Sequence, residues 1–278
     1  NFGEMERLSA IASPTSAVVT NIGISHIEQL KTQENIRAEK LHIADTIGEQ
    51  GALYLNGDDP MLQQLRESYT GKIVWYGMES DCDYQAVNID TVKDCTRFEL
   101  HAPFGAHKIM IPALGLHNVS NALAAIAVAY DQGLTLDDIR CGLLTYEGLA
   151  MRQQIHELDK ITVIDDSYNA SPDSIKSGIG VLMAVKSTGK KIAVLADMLE
   201  LGERSAQAHL ELGAYAAASG VDAVLTVGRE AEKIAEGAVE ESRKILVKAC
   251  GTNDEAFAEL EKILNDGDCV LVKGSRGM

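Results

Sequence analysis

The sequence predicts an α/β protein of two domains, the first built on a mixed sheet and the second on a parallel one. Three observations predict it. From Pro172 onward, helical segments and short, apolar, β-branched strands alternate in strict order, which implies a parallel sheet covered on both faces. Between Tyr84 and Ile111, apolar positions such as Phe98, Leu100, Ile109 and Ile111 flank Pro103-Phe104-Gly105, which implies antiparallel strands and a hairpin. The style changes near Gly148, so the boundary falls at residue 149, with one domain over 1–149 and the other over 150–278.

The elements follow in order. Met5 to Ile11 carries a short helical pattern. Ala17 to Ile22 is a compact apolar run, a buried strand leading into a loop. Thr32 to Ile47 reads as an amphipathic helix. Gly51 to Leu55 is a strand closed by the turn residues Asn56-Gly57-Asp58-Asp59-Pro60, and Ile73 to Tyr76 is the next strand. Asn118 to Tyr130 is an alanine-rich helix, and Thr135 caps another. In the second domain, Gln153–Glu157 and Ile161–Asp165 come as a pair of strands. Helix Pro172–Val185 then leads to strand Lys191–Ala196, helix Ser205–Ser219 to strand Ala223–Val227, and helix Glu230–Glu240 to strand Ile245–Val247. Helix Asp254–Leu264 leads to strand Cys269–Val272.

The 278 residues carry a formal net charge of −16, which speaks against a general nucleic-acid or anionic-membrane binder. An anion such as ATP remains compatible, because local backbone amides and a few basic residues hold phosphate on an acidic protein. No apolar run is long enough to span a bilayer. The cysteines at 82, 95, 141, 250 and 269 are scattered and form no C-x-x-C pair, as expected of reduced cytoplasmic thiols. A Walker loop is absent: its nearest candidate, Gly189-Lys190, has Ala184 where the first glycine belongs and Lys191 where Ser or Thr belongs. There is no serine-hydrolase elbow and no G-x-G-x-x-G after a first strand. The chain opens within what reads as a helix, so its natural N-terminus is expected further upstream.

In open parallel sheets, ligands bind beyond the carboxyl ends of the strands. In the second domain those ends read Asp165-Asp166-Ser167-Tyr168-Asn169, Asp197-Met198-Leu199-Glu200, Val227-Gly228-Arg229 and Lys273-Gly274-Ser275-Arg276-Gly277. Asp166 suits ribose hydroxyls, Tyr168 suits a base, and Lys273 with Arg276 suits a carboxylate or phosphate. Asp165 and Asp166 point to opposite faces of a strand, so one of them meets the cleft. The ordinary alternative is that these are capped helix starts, Ser171-Pro172 being a natural cap; several strand ends converging favour a site. In the first domain, His26 lies in the loop after a buried strand; neutral imidazole is a ligand for divalent metals, but taken alone His26 reads better as a satisfied loop histidine. Lys40 suits a metal only if carbamylated, and otherwise reads as a solvated helix lysine beside Glu39 or Glu34. Asn118 and Asn121 lie three apart on one helix face, and their amides match the edge of adenine. Asn118 also reads as a helix cap, and spacing alone does not decide.

Asp165-Asp166-Ser167-Tyr168-Asn169-Ala170, Asp197-Met198-Leu199-Glu200-Leu201-Gly202 and Lys273-Gly274-Ser275-Arg276-Gly277-Met278 resemble the Mur ligase family. Within it they are similar to the branch that joins UDP-N-acetylmuramoyl-tripeptide to D-alanyl-D-alanine. Thr20-Asn21 through His26, Arg37 to Lys40, and His117-Asn118 to Leu123 resemble the family more widely. The resemblance runs along essentially the whole chain. It implies an incomplete central ATPase-type domain followed by a Rossmann-like ligase domain in a cytoplasmic enzyme of cell-wall synthesis. ATP would convert the tripeptide carboxylate to an acyl phosphate, and the amine of D-alanyl-D-alanine would displace phosphate.

Carried over residue by residue, His26 would bind magnesium and Lys40 would be the carbamylated lysine beside it, both catalytic. Asn118 and Asn121 would read adenine, Arg152 would approach the ATP phosphates, and Asp166 would take the ribose, serving binding rather than folding. Tyr168 and Asn169 would line the nucleotide's surroundings. Asp197, Lys273 and Arg276 would lie near the acceptor cleft. The two domains would close on each other around ATP.

The family's UDP-binding domain, phosphate loop and magnesium-completing glutamate are not in these residues, nor is its last helix. Ser171 and Ala196 stand where Asn and Gly are expected. Two alternatives stay open: a sister ligase adding another amino acid, or glutamate to folate, and a non-catalytic binding module.

Overall fold

The structure, a computed structural model, describes residues 1–24, 27–79 and 81–278. It divides into two compact units, Asn1–Glu147 and Gly148–Met278.

The first unit contains α1 (Glu4–Ala12), β1 (Ser16–Val19), α2 (Ile27–Leu30), α3 (Gln33–Leu41), β2 (Ala52–Asn56), α4 (Pro60–Gln63) and β3 (Ile73–Gly77). It continues with β4 (Tyr84–Val92), β5 (Cys95–Ala102), β6 (Gly105–Ile111), α5 (Leu116–Asp131) and α6 (Leu136–Leu144). Its sheet runs β1-β2-β3-β4-β5-β6, with β1 to β4 parallel and β5 and β6 antiparallel additions. All of Ala52-Leu53-Tyr54-Leu55 is buried, because β2 is covered on both faces. Leu53 and Leu55 pack with Ile36, Leu62 and Trp75; Ala52 and Tyr54 pack with Val119 and Leu123 of α5.

Three expectations change here. Helix α1 begins at Glu4 after Gly3 in the left-handed region (φ 77°), so the chain does not open inside it. The expected helix over 32–47 ends at Leu41 and passes into a single 3-10 turn at His42–Ala44. Ile43, Ala44 and Ile47 still pack on the core, so the apolar pattern that reads as helix is satisfied by a tighter turn. The strand expected to reach Ile22 stops at Val19, because the backbone of residues 20–22 is bonded by side chains instead of a neighbouring strand.

The second unit contains β7 (Gln154–Glu157), β8 (Thr162–Asp165), α7 (Pro172–Ala184), β9 (Lys191–Ala196), α8 (Ser205–Ala218) and β10 (Ala223–Val227). Then come α9 (Glu232–Glu241), β11 (Leu246–Cys250), α10 (Asn253–Ile263) and β12 (Cys269–Lys273). The sheet order is β11-β10-β9-β12-β8-β7. Five strands are parallel, but β7 is antiparallel to β8, so this sheet is mixed rather than parallel throughout. The few residues between β7 and β8 are too short for a parallel crossover and allow only a hairpin. Helices α8 and α9 pack at backbone contact: a Cβ on Gly213 would lie 1.9 Å from the Ile234 carbonyl, and one on Gly237 would lie 2.0 Å from that of Leu210.

Helix α1 has no side-chain cap of its own. Glu39 of α3 supplies it, accepting from the Gly3 N–H at 3.0 Å and the Met5 N–H at 2.8 Å. A carboxylate there meets both the orphan donors and the positive end of the helix. Glu39→Gln is therefore expected to lower the unfolding free energy of the chain by about 1 kcal/mol in urea titrations at neutral pH. An unchanged midpoint would show that α1 is held by packing alone.

Candidate functional site

Strand β12 lies between β9 and β8, so its last residue, Lys273, emerges amid the strand ends of the second unit. Its ammonium lies 2.8 Å from Asp166 Oδ2, an ion pair, and donates to the carbonyls of Asn169 (2.9 Å) and Asp166 (3.3 Å). Lys273 is 3% exposed and Asp166 6%. Burial pushes the Lys273 ammonium below its usual pKa range, the Asp166 carboxylate opposes this, and Arg152 adds to it. Gly178 of α7 makes room: a Cβ there would lie 3.3 Å from Asp166 Oδ2. Asp165 turns elsewhere, accepting from the N–H (3.1 Å) and hydroxyl (2.6 Å) of Ser167. Asp166 and Lys273, assigned separately to ribose and to acceptor from the sequence, are thus one buried pair. That pair gives Asp166 a part in folding, where binding alone is expected of it.

The turn after Asp166 wraps the lysine and presents polar groups outward. Asn169 Oδ1 accepts from the backbone N–H of Ala170 (2.9 Å) and of Arg276 (3.3 Å). Tyr168 is exposed, with the Arg152 guanidinium 4.2 Å and that of Arg276 5.8 Å from its ring centroid. A flat ring flanked by two guanidiniums offers stacking surface and fixed positive charge together. Ser171 caps α7 reciprocally with Ser174, and Pro172 holds the first helical position, as the capping reading of this stretch expects.

Asp197 follows β9 and is buried. Its Oδ1 accepts from the Ala231 N–H at 2.7 Å, and a Cβ on Gly228 (φ 107°) would lie 2.5 Å from its carboxylate. Its charge therefore serves backbone just ahead of α9. Ser275 N–H donates to the Asp197 carbonyl at 3.1 Å, which ties the β9 and β12 loops together. Ser275 and Gly228 carry these contacts without a role in the sequence reading; their signal was only their place inside polar strand ends.

In the first unit, Lys40 Nζ donates to the Asn21 carbonyl at 2.8 Å. The same segment is held by Asn56 Nδ2 on the Thr20 carbonyl (3.1 Å), Gln33 Nε2 on the Ile22 carbonyl (3.1 Å) and Asp59 Oδ2 on the Ile22 N–H (2.7 Å). Asn56 and Asp59 belong to the stretch that reads as a mere turn. His26 lies outside the described residues. Asn118 and Asn121 both sit in the first turns of α5; Asn118 Nδ2 donates to the Leu114 carbonyl at 2.8 Å. The N-cap is Gly115 (φ 92°), not Asn118. Among the described residues no group of three or more His, Cys, Asp or Glu side chains is placed to hold a metal, and no helix is long and apolar enough to cross a membrane.

Residues 1–129 match the family described as Mur ligase middle domain, and residues 151–276 match Mur ligase, glutamate ligase domain. The chain belongs to the Mur ligase family. This Mur ligase chain is 36% identical over 277 residues to the UDP-N-acetylmuramoyl-tripeptide–D-alanyl-D-alanine ligase of Bacillus subtilis (strain 168), covering 99% of the chain and 60% of that protein. It is 31% identical to the ligase of the same name from Mycobacterium tuberculosis (strain ATCC 25618 / H37Rv), covering 99% and 58%. Crystal structure I of MurF from Acinetobacter baumannii superposes with a TM-score of 0.88 at 31% identity, covering 99% of this chain and 59% of that one. MurF ligase from Thermotoga maritima in complex with ADP gives 0.86 at 28% identity, covering 99% and 61%. The Mur ligase chain thus spans about three fifths of the length of the curated relatives it matches.

Removing one partner of a buried ion pair leaves the other charge uncompensated. Asp166→Asn is expected to lower the unfolding free energy of the chain by roughly 3 kcal/mol or more. The double variant Asp166→Asn/Lys273→Met, which removes the stranded ammonium, should recover part of that loss. Additive losses, with the double variant as destabilised as the sum of Asp166→Asn and Lys273→Met measured singly by urea unfolding, would show that the two groups are not coupled.

Proposed function

We propose that this chain handles nucleotide and acceptor in an ATP-dependent ligase that joins D-alanyl-D-alanine to UDP-N-acetylmuramoyl-tripeptide, in the cytoplasmic synthesis of peptidoglycan precursors. The observation that carries the reading is the similarity, 36% identity over 99% of the chain and 60% of the relative, to a Bacillus subtilis ligase of that name. In this reaction a carboxylate oxygen of the tripeptide attacks the γ-phosphorus of ATP, and the bond to the ADP oxygen breaks. The dipeptide amine then attacks the acyl carbon. The tetrahedral adduct loses phosphate, the nitrogen loses a proton, and the amide remains.

The chain's residues suit parts of this task. The amides of Asn118 and Asn121 suit the adenine edge. Tyr168 with Arg152 suits a base and phosphate charge, and Asn169 fixes the backbone beside them. Arg276 suits the acceptor carboxylate. Lys273 and Asp166 act beneath the surface, holding the turn that carries Tyr168 and Asn169, and Asp197 holds the neighbouring loop. Magnesium, which the resemblance implies, finds no complete ligand set among the described residues. As an ammonium Lys40 donates to the Asn21 carbonyl and repels a cation. Carbamylation of Lys40 would replace the ammonium by oxygen donors suited to such an ion.

A second reading, a non-catalytic binding module, is favoured for these 278 residues taken alone by their lack of a Walker loop. The purified chain is therefore expected to give no ATP-dependent amide product. A full-length ligase carrying it is expected to use D-alanyl-D-alanine in preference to D-glutamate, L-lysine or diaminopimelate. Preference for one of the single amino acids in an acceptor screen would overturn the proposal. In the same enzyme Lys40→Ala should lose most activity, with partial recovery in added short carboxylates. Near-normal turnover would return Lys40 to a structural role.

A further inference from the structure

The turn after β9 is held more tightly than its surface position requires. Leu199 is 49% exposed, while Met198 and Leu201 on either side are buried. Glu200 adopts φ 64°, a left-handed conformation uncommon for a non-glycine residue and retained only where surroundings impose it. The surroundings here are hydrogen bonds from three elements. Leu199 N–H donates to Ser275 Oγ at 2.9 Å, Asp197 is bonded to Ala231 and Ser275, and Met198 N–H donates to His209 Nε2 at 3.0 Å.

His209 of α8 is fully buried. Its Nε2 accepts a backbone N–H, so the ring proton must sit on Nδ1. Nδ1 finds the Ser205 carbonyl at 2.7 Å. The Ser205 hydroxyl lies 3.3 Å from the same nitrogen and donates to Glu230 Oε2 at 2.8 Å. Both ring nitrogens are therefore used by a single neutral tautomer, an acceptor at one end and a donor at the other. No aliphatic side chain in that space would leave the Met198 N–H bonded.

We infer that His209 is a positioning residue for the Met198–Glu200 turn, and that this turn is a preformed apolar contact for the methyl groups of a small dipeptide acceptor. The inference rests on the function proposed above. Ser275, which binds the same turn, adjoins Arg276, so the exposed Leu199 and a cation for a carboxylate are anchored through one residue. An alanine dipeptide offers the matching pair, a methyl group and a carboxylate. His209 reaches no ligand and acts only through the turn.

The test has two arms. In the chain itself, a long-range proton–nitrogen spectrum should show His209 protonated on Nδ1 only, and the Met198 and Leu199 amides should exchange roughly tenfold faster in His209→Leu than in the parent. His209→Gln, which keeps an amide acceptor, should lie closer to the parent. In the full-length ligase, His209→Leu should raise KM for D-alanyl-D-alanine roughly tenfold while KM for ATP changes less than about twofold, with His209→Gln partly rescuing. A proton on Nε2, unaltered amide exchange, or equal rises in both KM values would overturn the inference. If His209→Leu does not fold, the tautomer and His209→Gln decide in the same way. A parent enzyme inactive on the dipeptide would sink the proposed function, whereas an active one with unchanged KM in His209→Leu would sink only this inference.

Discussion

A lysine ammonium at the end of a central strand has to be compensated, and the open end of the second sheet is arranged around that need. Lys273 emerges between β9 and β8 with almost no solvent contact. Burying an unpaired charge costs far more than a domain can spare, so its three donors must be used. Asp166 supplies the countercharge, and the carbonyls of Asp166 and Asn169 take hydrogen bonds. For two carbonyls of one short segment to reach one ammonium, the chain must curl over it. That curl turns Tyr168 outward and brings Asn169 Oδ1 to the Arg276 amide. The exposed groups of the site are thus placed by a pair that is itself hidden.

The first unit solves a related problem with different residues. After β1 the chain leaves the sheet, and the backbone groups of residues 20–22 lose their ladder partners. Asn56, Gln33, Lys40 and Asp59 supply partners one by one. Asn56 is the last residue of β2, the parallel neighbour of β1, and Asp59 lies in the loop just after it. In the second unit the loop after β12 likewise serves the loop after β9 through Ser275. In both, adjacent parallel strands end side by side, so the loop of one is in reach of the backbone of the next. Each loop is shaped by its neighbour rather than by its own sequence.

That dependence explains what was legible in the sequence. Strands Lys191–Ala196 and Ala223–Val227 read to the residue because buried parallel strands are unbroken apolar runs, and their boundaries are set locally. The alternation of Asp165 and Asp166 was also legible, since period two is a property of the strand. Which of them meets a cation was not, because Lys273 is 107 residues away from Asp166. His209 gave no signal: a single histidine in an alanine-rich helix looks like any other, and its partner is a backbone amide with no side-chain signature. The mixed character of the second sheet was half legible. The strand pair was read, but the antiparallel sense follows only from the shortness of its turn.

The same geometry sorts the basic residues by chemistry. In a chain of net charge −16, long-range attraction for an anion is weak, so any anion site depends on local cations. Three cluster at this strand end, but they are not equivalent. Lys273 is a compact charge whose pKa burial lowers, and its three donors are spent internally. Arg152 and Arg276 are exposed and lie against Tyr168. A guanidinium stays charged in any surroundings and keeps a planar fork free when one face is stacked on a ring. The lysine therefore acts as a structural ion that fixes the turn, and the arginines are the groups that can meet a phosphate or carboxylate. Exchanging the types would fail at both places, since a guanidinium does not fit the space of one ammonium among three oxygens, and an ammonium neither stacks nor forks.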